Sequence, residues 1–77
     1  MIESISLHDI APWTCANNQV VLRHIAMLQS GERLPPILVI RQPGQYRYRI
    51  FDGKHRARAA QLAGRTVVDA IVVVDQT

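Results

Sequence analysis

Gly53-Lys54-His55-Arg56 follows directly on Asp52, so that one carboxylate, one glycine and three cation-capable side chains sit in five residues. Residues of these types suit the capture of an anion, and phosphate above all. The box stands where an alternating stretch gives way to a helical one. A helix start leaves backbone N–H groups unpaired and carries partial positive charge, which together make an anion site. Gly53 lets the chain turn sharply and approach a ligand. Lys54, His55 and Arg56 fall in the first turn, where cations disfavour the helix itself. Such a local conflict often marks function, and a bound phosphate relieves it by pairing with the side chains. Asp52 has three candidate roles: capping the helix, placing a metal ion carried by a nucleotide, or accepting a proton. His55 is the other candidate base. The residues alone leave a second reading open, in which Asp52 caps the helix and the cations are merely solvated.

Other chemistry-bearing residues are scattered. Cys15 is the single cysteine, so no internal disulfide forms, and a reducing compartment is expected. His8, His24 and His55 have no metal-binding spacing, so no metal site is expected. His24 and His8 read as surface residues, Trp13 as core or rim, and Tyr46 and Tyr48 as the inward face of a strand. Arg47 and Arg49 alternate with those tyrosines and read as solvent-facing. Arg58 points away from Arg56 around the helix, toward solvent or DNA. Weak DNA-backbone contact is therefore assigned to Arg58, Arg47 and Arg49.

The elements that must position the box are set by pattern. Apolar residues mark a strand over Glu3–Leu7, stopped by Pro12-Trp13. Asn17 and Asn18 suit a helix start, and Val21, Leu22, Ile25 and Leu28 give a helical face over about residues 18–30, ended by Gly31. Pro35-Pro36 bars helix, and Ile37–Ile40 is rich in β-branched residues. Gln42-Pro43-Gly44-Gln45 fits a type II turn leading into a strand over residues 46–51, which makes an antiparallel hairpin. A second helix spans about residues 54–63, with a packing face of Ala57, Ala60, Ala63 and Leu62. A last strand, Val67–Val74, is apolar nearly throughout and so interior or covered on both faces. The fold class is α/β (α+β): about four strands in a small mixed sheet with two helices, order β-α-β-β-α-β. The strand over 46–51, the second helix and the last strand are expected to form a βαβ unit, right-handed if its strands are parallel.

The 77 residues make a single domain, 1–77, burying only ~60–65% of the surface its unfolded chain would expose. A net charge of +3 and an isoelectric point near 9.8 suit anionic partners. Arg41, Arg47, Arg49, Lys54, Arg56, Arg58 and Arg65 gather the charge in the second half of the chain. No basic leader precedes an apolar run, and no apolar run is long enough to cross a bilayer, so a cytoplasmic location without a membrane partner is expected. A small core and a valine-rich last strand are compatible with a homodimer.

From Ile5 to about Val74 the sequence resembles the ParB/sulfiredoxin-like superfamily, also called ParB-like nuclease domains. The resemblance rests on Ile10-Ala11-Pro12, Pro36-Ile37-Leu38-Val39, the Gly53-Lys54-His55-Arg56 box and Ala59-Ala60-Gln61-Leu62-Ala63-Gly64. It implies that the box binds nucleotide phosphates through Gly53, His55 and Arg56, with CTP or ATP/ADP, with or without magnesium, as the ligand. Members include partition proteins that use CTP in a DNA clamp, sulfiredoxins that use ATP, a free-serine kinase and described nucleases. Lys54 stands where sulfiredoxins carry their catalytic cysteine, so that reaction is not expected. Pro12 is followed by Trp13-Thr14-Cys15 and not by the partition proteins' arginine motif. Asn17, Asn18 and Gln19 offer no carboxylate where the kinase has its glutamate. The helix-turn-helix and dimerisation domains of partition proteins have no counterpart in these residues. The leading expectation is a nucleotide- or phosphate-binding domain in a DNA-related process: partition, regulation or a mobile element. The alternatives are a metal-dependent phosphoryl-transfer enzyme or nuclease, with Asp52 or His55 as base, and a non-catalytic DNA-backbone-binding module.

Overall fold

The computed structural model describes residues 1–73, so Val74 of the expected last strand lies outside it. The order is β1 (Ile2–Ser6), a 3-10 turn (Leu7–Asp9), α1 (Asn18–Gln29), β2 (Ile37–Arg41), β3 (Tyr48–Asp52), α2 (Lys54–Leu62) and β4 (Val67–Val73). The four strands form one mixed sheet in the order β1-β4-β2-β3. β1 runs antiparallel to β4, β4 parallel to β2, and β2 antiparallel to β3. The class and the element order agree with the pattern of the sequence. The 3-10 turn is an addition to that pattern; Ser6 opens it by accepting from the His8 N–H at 3.2 Å, and the first strand, at its expected length, lies one residue earlier than Glu3–Leu7.

The expected βαβ unit does not form. β2 lies between β3 and β4, and those two strands run in opposite directions. The reason lies in the register. Asp52 pairs with Leu38, and Ile37 pairs with Ala70, so the end of β3 and the middle of β4 sit level with the start of β2. α2 therefore carries the chain sideways over β2. Its 9 residues span about 13–14 Å, close to the ~10 Å of two strand spacings.

α2 lies over β2 and β4, and α1 packs on α2. The core beneath joins Ile5, Leu7, Ile10, Ile37, Val39, Tyr48, Ala57, Ala60 and Ala70, with Trp13, Leu28 and Val68 packed against it. Alanines at Ala57 and Ala60 let a helix backbone sit close on a sheet. The helix faces differ in detail from the expected ones: Val21 is buried as expected, but Leu22 and Leu62 are exposed, and Ala59 is buried in addition. β4 is interior in the sheet as expected, but only one of its faces is covered, and Val67 stays half exposed. Tyr48 is buried and opens β3, while Tyr46 is spent on the connection. That loop closes with the Gln42 N–H donating to Arg47 O at 2.9 Å, and Gly44 takes φ 107°, as a type II turn requires.

Candidate phosphate site between the two helices

The β2–β3 ladder shifts register between Leu38 and Val39: Val39 pairs with Ile50, Leu38 with Asp52, and Phe51 is the extra residue. A bulge bends its strand and re-aims the residues beyond it. Here it delivers Asp52 and Gly53 to the start of α2. Gly53 is the N-cap, at φ 102° and ψ 26°, and no side chain caps the helix. Asp52 is thus not the cap, a correction to one of its expected roles; it is exposed at the end of β3. The left-handed turn at Gly53 puts the Asp52 side chain outside the first turn. A Cβ on Gly53 would lie 2.8 Å from Ile37 Cγ2 and 3.0 Å from an Arg56 guanidinium nitrogen. The glycine therefore serves close packing on β2 as well as the turn.

The first turn of α2 has two sides. On one, the loop after the 3-10 turn is tied down. Trp13 Nε1 and Cys15 Sγ both donate to Lys54 O, at 3.2 and 3.3 Å. Arg58 donates to Trp13 O at 2.8 Å, lies 4.8 Å over the Trp13 ring and also donates to Gln61 Oε1. The sequence offered no sign of this clasp beyond the placement of Trp13 at a core rim. It holds Arg58 by two partners, where solvent or DNA was expected.

On the other side a cavity of about 460 Å³ opens between α1 and α2, lined by Val20, His24, Phe51, Asp52, Gly53, Lys54, His55 and Arg56. All four residues of the box line it. His55 Nε2, Arg56 Nε and His24 Nδ1 are buried there without a hydrogen-bond partner among the described residues. Arg56 is aimed by its other end, which donates to Pro36 O at 3.1 Å. Buried polar groups are normally satisfied; here the Arg56 Nε–H lacks an acceptor, and two imidazole nitrogens lack a partner of either kind. His24 departs from the surface position expected of it. It is half-buried because it lies on the α1 face turned to α2, one turn beyond Val20. Its i+4 spacing from Val20 was the available sign. Burial first, then the charges of Arg56, His55 and Arg23, hold its pKa below the ordinary histidine value. Asp52 is the one carboxylate on the lining. No group of three histidine, cysteine or acidic residues fit to hold a metal ion occurs among the described residues.

A larger cavity of about 570 Å³ lies beyond Arg56, under Arg33 and Arg65, but Glu32 and Asp69 also line it, so its charge is mixed. Arg47 and Arg49 are exposed on the β2–β3 hairpin, away from both cavities. No helix among the described residues is long and apolar enough to cross a membrane.

Residues 2–77 match the family model described as the ParB N-terminal domain. None of the curated proteins matches the chain. Among solved structures the fold is similar to sulfiredoxin from Arabidopsis thaliana, with 23% identity and a TM-score of 0.79 over 97% of this chain and 86% of that one. It is similar to the chromosome-partitioning protein ParB from Caulobacter crescentus complexed with CTP-γ-S, with 24% identity and a TM-score of 0.76 over 99% of this chain and 46% of that one. It is also similar to a free serine kinase in complex with AMP, with 25% identity and a TM-score of 0.80 over 94% of this chain and 30% of that one. The chain thus spans most of the sulfiredoxin but less than half of the other two. With its four-stranded mixed sheet, its paired helices and a family match over nearly its whole length, the chain belongs to the ParB N-terminal domain family.

Proposed function

We propose that the protein binds a nucleotide, CTP or ATP/ADP, by its phosphates in the cavity between α1 and α2, and serves a DNA-related process such as partition, regulation or a mobile element. The observation that carries this reading is the convergence of His24, His55 and Arg56 with unpartnered buried nitrogens beside the helix start at Gly53. Phosphate oxygens accept from the Arg56 Nε–H, from either imidazole nitrogen when it carries a proton, and from the N–H groups of the first turn. Arg56 supplies fixed charge, and Lys54 adds a second cation at the rim. Two similar structures are nucleotide complexes, one with CTP-γ-S and one with AMP, which supports the same ligand class here. Magnesium usually reaches a protein through one or two carboxylates and the ligand's own phosphates. Asp52 fits that mode as a single carboxylate, and its removal tests any phosphoryl-transfer or nuclease activity of the site.

Titration calorimetry with CTP, ATP and ADP, with and without magnesium, tests the proposal. Heat of binding that disappears in Arg56→Ala supports it. No binding to the wild type, or equal binding by the variant, removes it. A second reading, contact with a nucleic-acid backbone, is favoured by the exposed Arg41, Arg47 and Arg49 on and beside the hairpin. It predicts salt-sensitive, sequence-tolerant affinity for DNA; affinity that is flat between low and moderate salt counts against it.

A further inference from the structure

His24 lies outside the Gly53–Arg56 box and on a different element, yet it lines the same cavity. Its Nδ1 is buried and unpartnered, as is Nε2 of His55. The charges around it come from Arg23 on its own helix, from Lys54, His55 and Arg56 on α2, and from Asp52 at the end of β3. Cations outnumber the single carboxylate, so an empty cavity disfavours a proton on His24. A doubly charged anion in the cavity reverses that balance, because an opposite charge within reach favours the charged form.

We propose that His24 is a further phosphate-facing residue of this site, and that it takes up a proton when a doubly charged phosphate enters. This rests on the reading of the cavity as a phosphate site. Its consequence is selectivity. A terminal phosphate monoester carries close to two charges near neutral pH, whereas a phosphodiester carries one. The site therefore grips the end of a nucleotide's phosphate chain more tightly than the backbone of a nucleic acid. His24 is held below the ordinary histidine value in the free protein, in keeping with such a role. Binding raises its pKa, so affinity is highest below the free-state value and falls as pH rises through the window up to the bound-state value. One coupled proton changes affinity by about tenfold per pH unit inside that window.

The imidazole resonances of His24 are to be followed by NMR from about pH 5 to about pH 8, free and with saturating ADP, with exposed His8 as reference. ADP affinity is measured over the same range for wild type and for His24→Gln. The expected result is an upward move of the His24 titration and a pH slope steeper in wild type than in the variant by about one proton. Comparison with the variant cancels the titration of ADP itself. Dimethyl phosphate, a singly charged diester, should leave the His24 titration in place. If ADP shifts the Gly53–Arg56 amides while His24 titrates as before, the proton coupling is overturned and phosphate binding survives. If ADP shifts neither, both are overturned.

Discussion

The two sides of the α2 start use similar residue types to opposite ends. Toward the loop, Trp13, Cys15 and Arg58 are all partnered, and their donors end on Lys54 O, Trp13 O and Gln61. Toward α1, His24, His55 and Arg56 keep nitrogens that are buried and unpaired. Polar groups that find partners within the fold contribute to stability, typically about 0.5–1.5 kcal/mol each. Groups left unpaired cost stability and are kept for a ligand. The contrast separates the arginines: Arg58 braces the helix start, and Arg56 faces the cavity while anchored on Pro36 O.

The largest effect should come from the N-cap on which the first turn rests. Gly53→Ala places a side chain at φ 102° and 2.8 Å from Ile37. A left-handed conformation costs about 1–2 kcal/mol and overpacking about 1–3. A loss of roughly 2–4 kcal/mol is expected, seen as a fall in Tm of roughly 10–25 °C. A stability like that of the wild type would mean that the turn is not under the constraint described.

Arg56→Ala should separate the two sides. Loss of a charge-assisted hydrogen bond to phosphate is worth about 1.5–3 kcal/mol, so nucleotide affinity should fall by about tenfold to a hundredfold in calorimetry. Arg58→Ala, two residues on, should do the reverse. It removes a hydrogen bond and a cation–π contact, lowering unfolding free energy in urea by about 1–2 kcal/mol. Its nucleotide affinity should stay within about twofold, as expected of sites that do not share partners. A large loss of affinity in Arg58→Ala would merge the two sides into one.

Lys54→Ala gives the smallest and most diagnostic change. A cation in the first turn opposes the helix dipole by about 0.3–1 kcal/mol. Removing it should raise stability by a few tenths of a kcal/mol while weakening nucleotide binding. Loss of both would show that Lys54 is structural.

The sequence carried the element order and the place of the box at a helix start, because helix-start physics and period-two alternation are local. Gly53, Lys54, His55 and Arg56 all line the cavity, as their types and spacing suggested. What escaped was long-range. The sideways path of α2, which undid the βαβ expectation, depends on a register set between β2 and β4. The Phe51 bulge that takes Asp52 off the cap depends on pairing with Leu38. His24 joined the site only because α1 docks on α2, and Arg58 left the surface only because Trp13 folds back under it. None of these is encoded in the local periodicity of either partner alone.

The most direct test of the central claim is mapping of backbone amide shifts on titrating ADP into the isotopically labelled protein. A phosphate site between the helices predicts shifts at Val20, His24 and Gly53–Arg56, with the clasp at Trp13, Cys15 and Arg58 little changed. Shifts centred instead on Arg33 and Arg65, on the hairpin arginines, or on the clasp would contradict it.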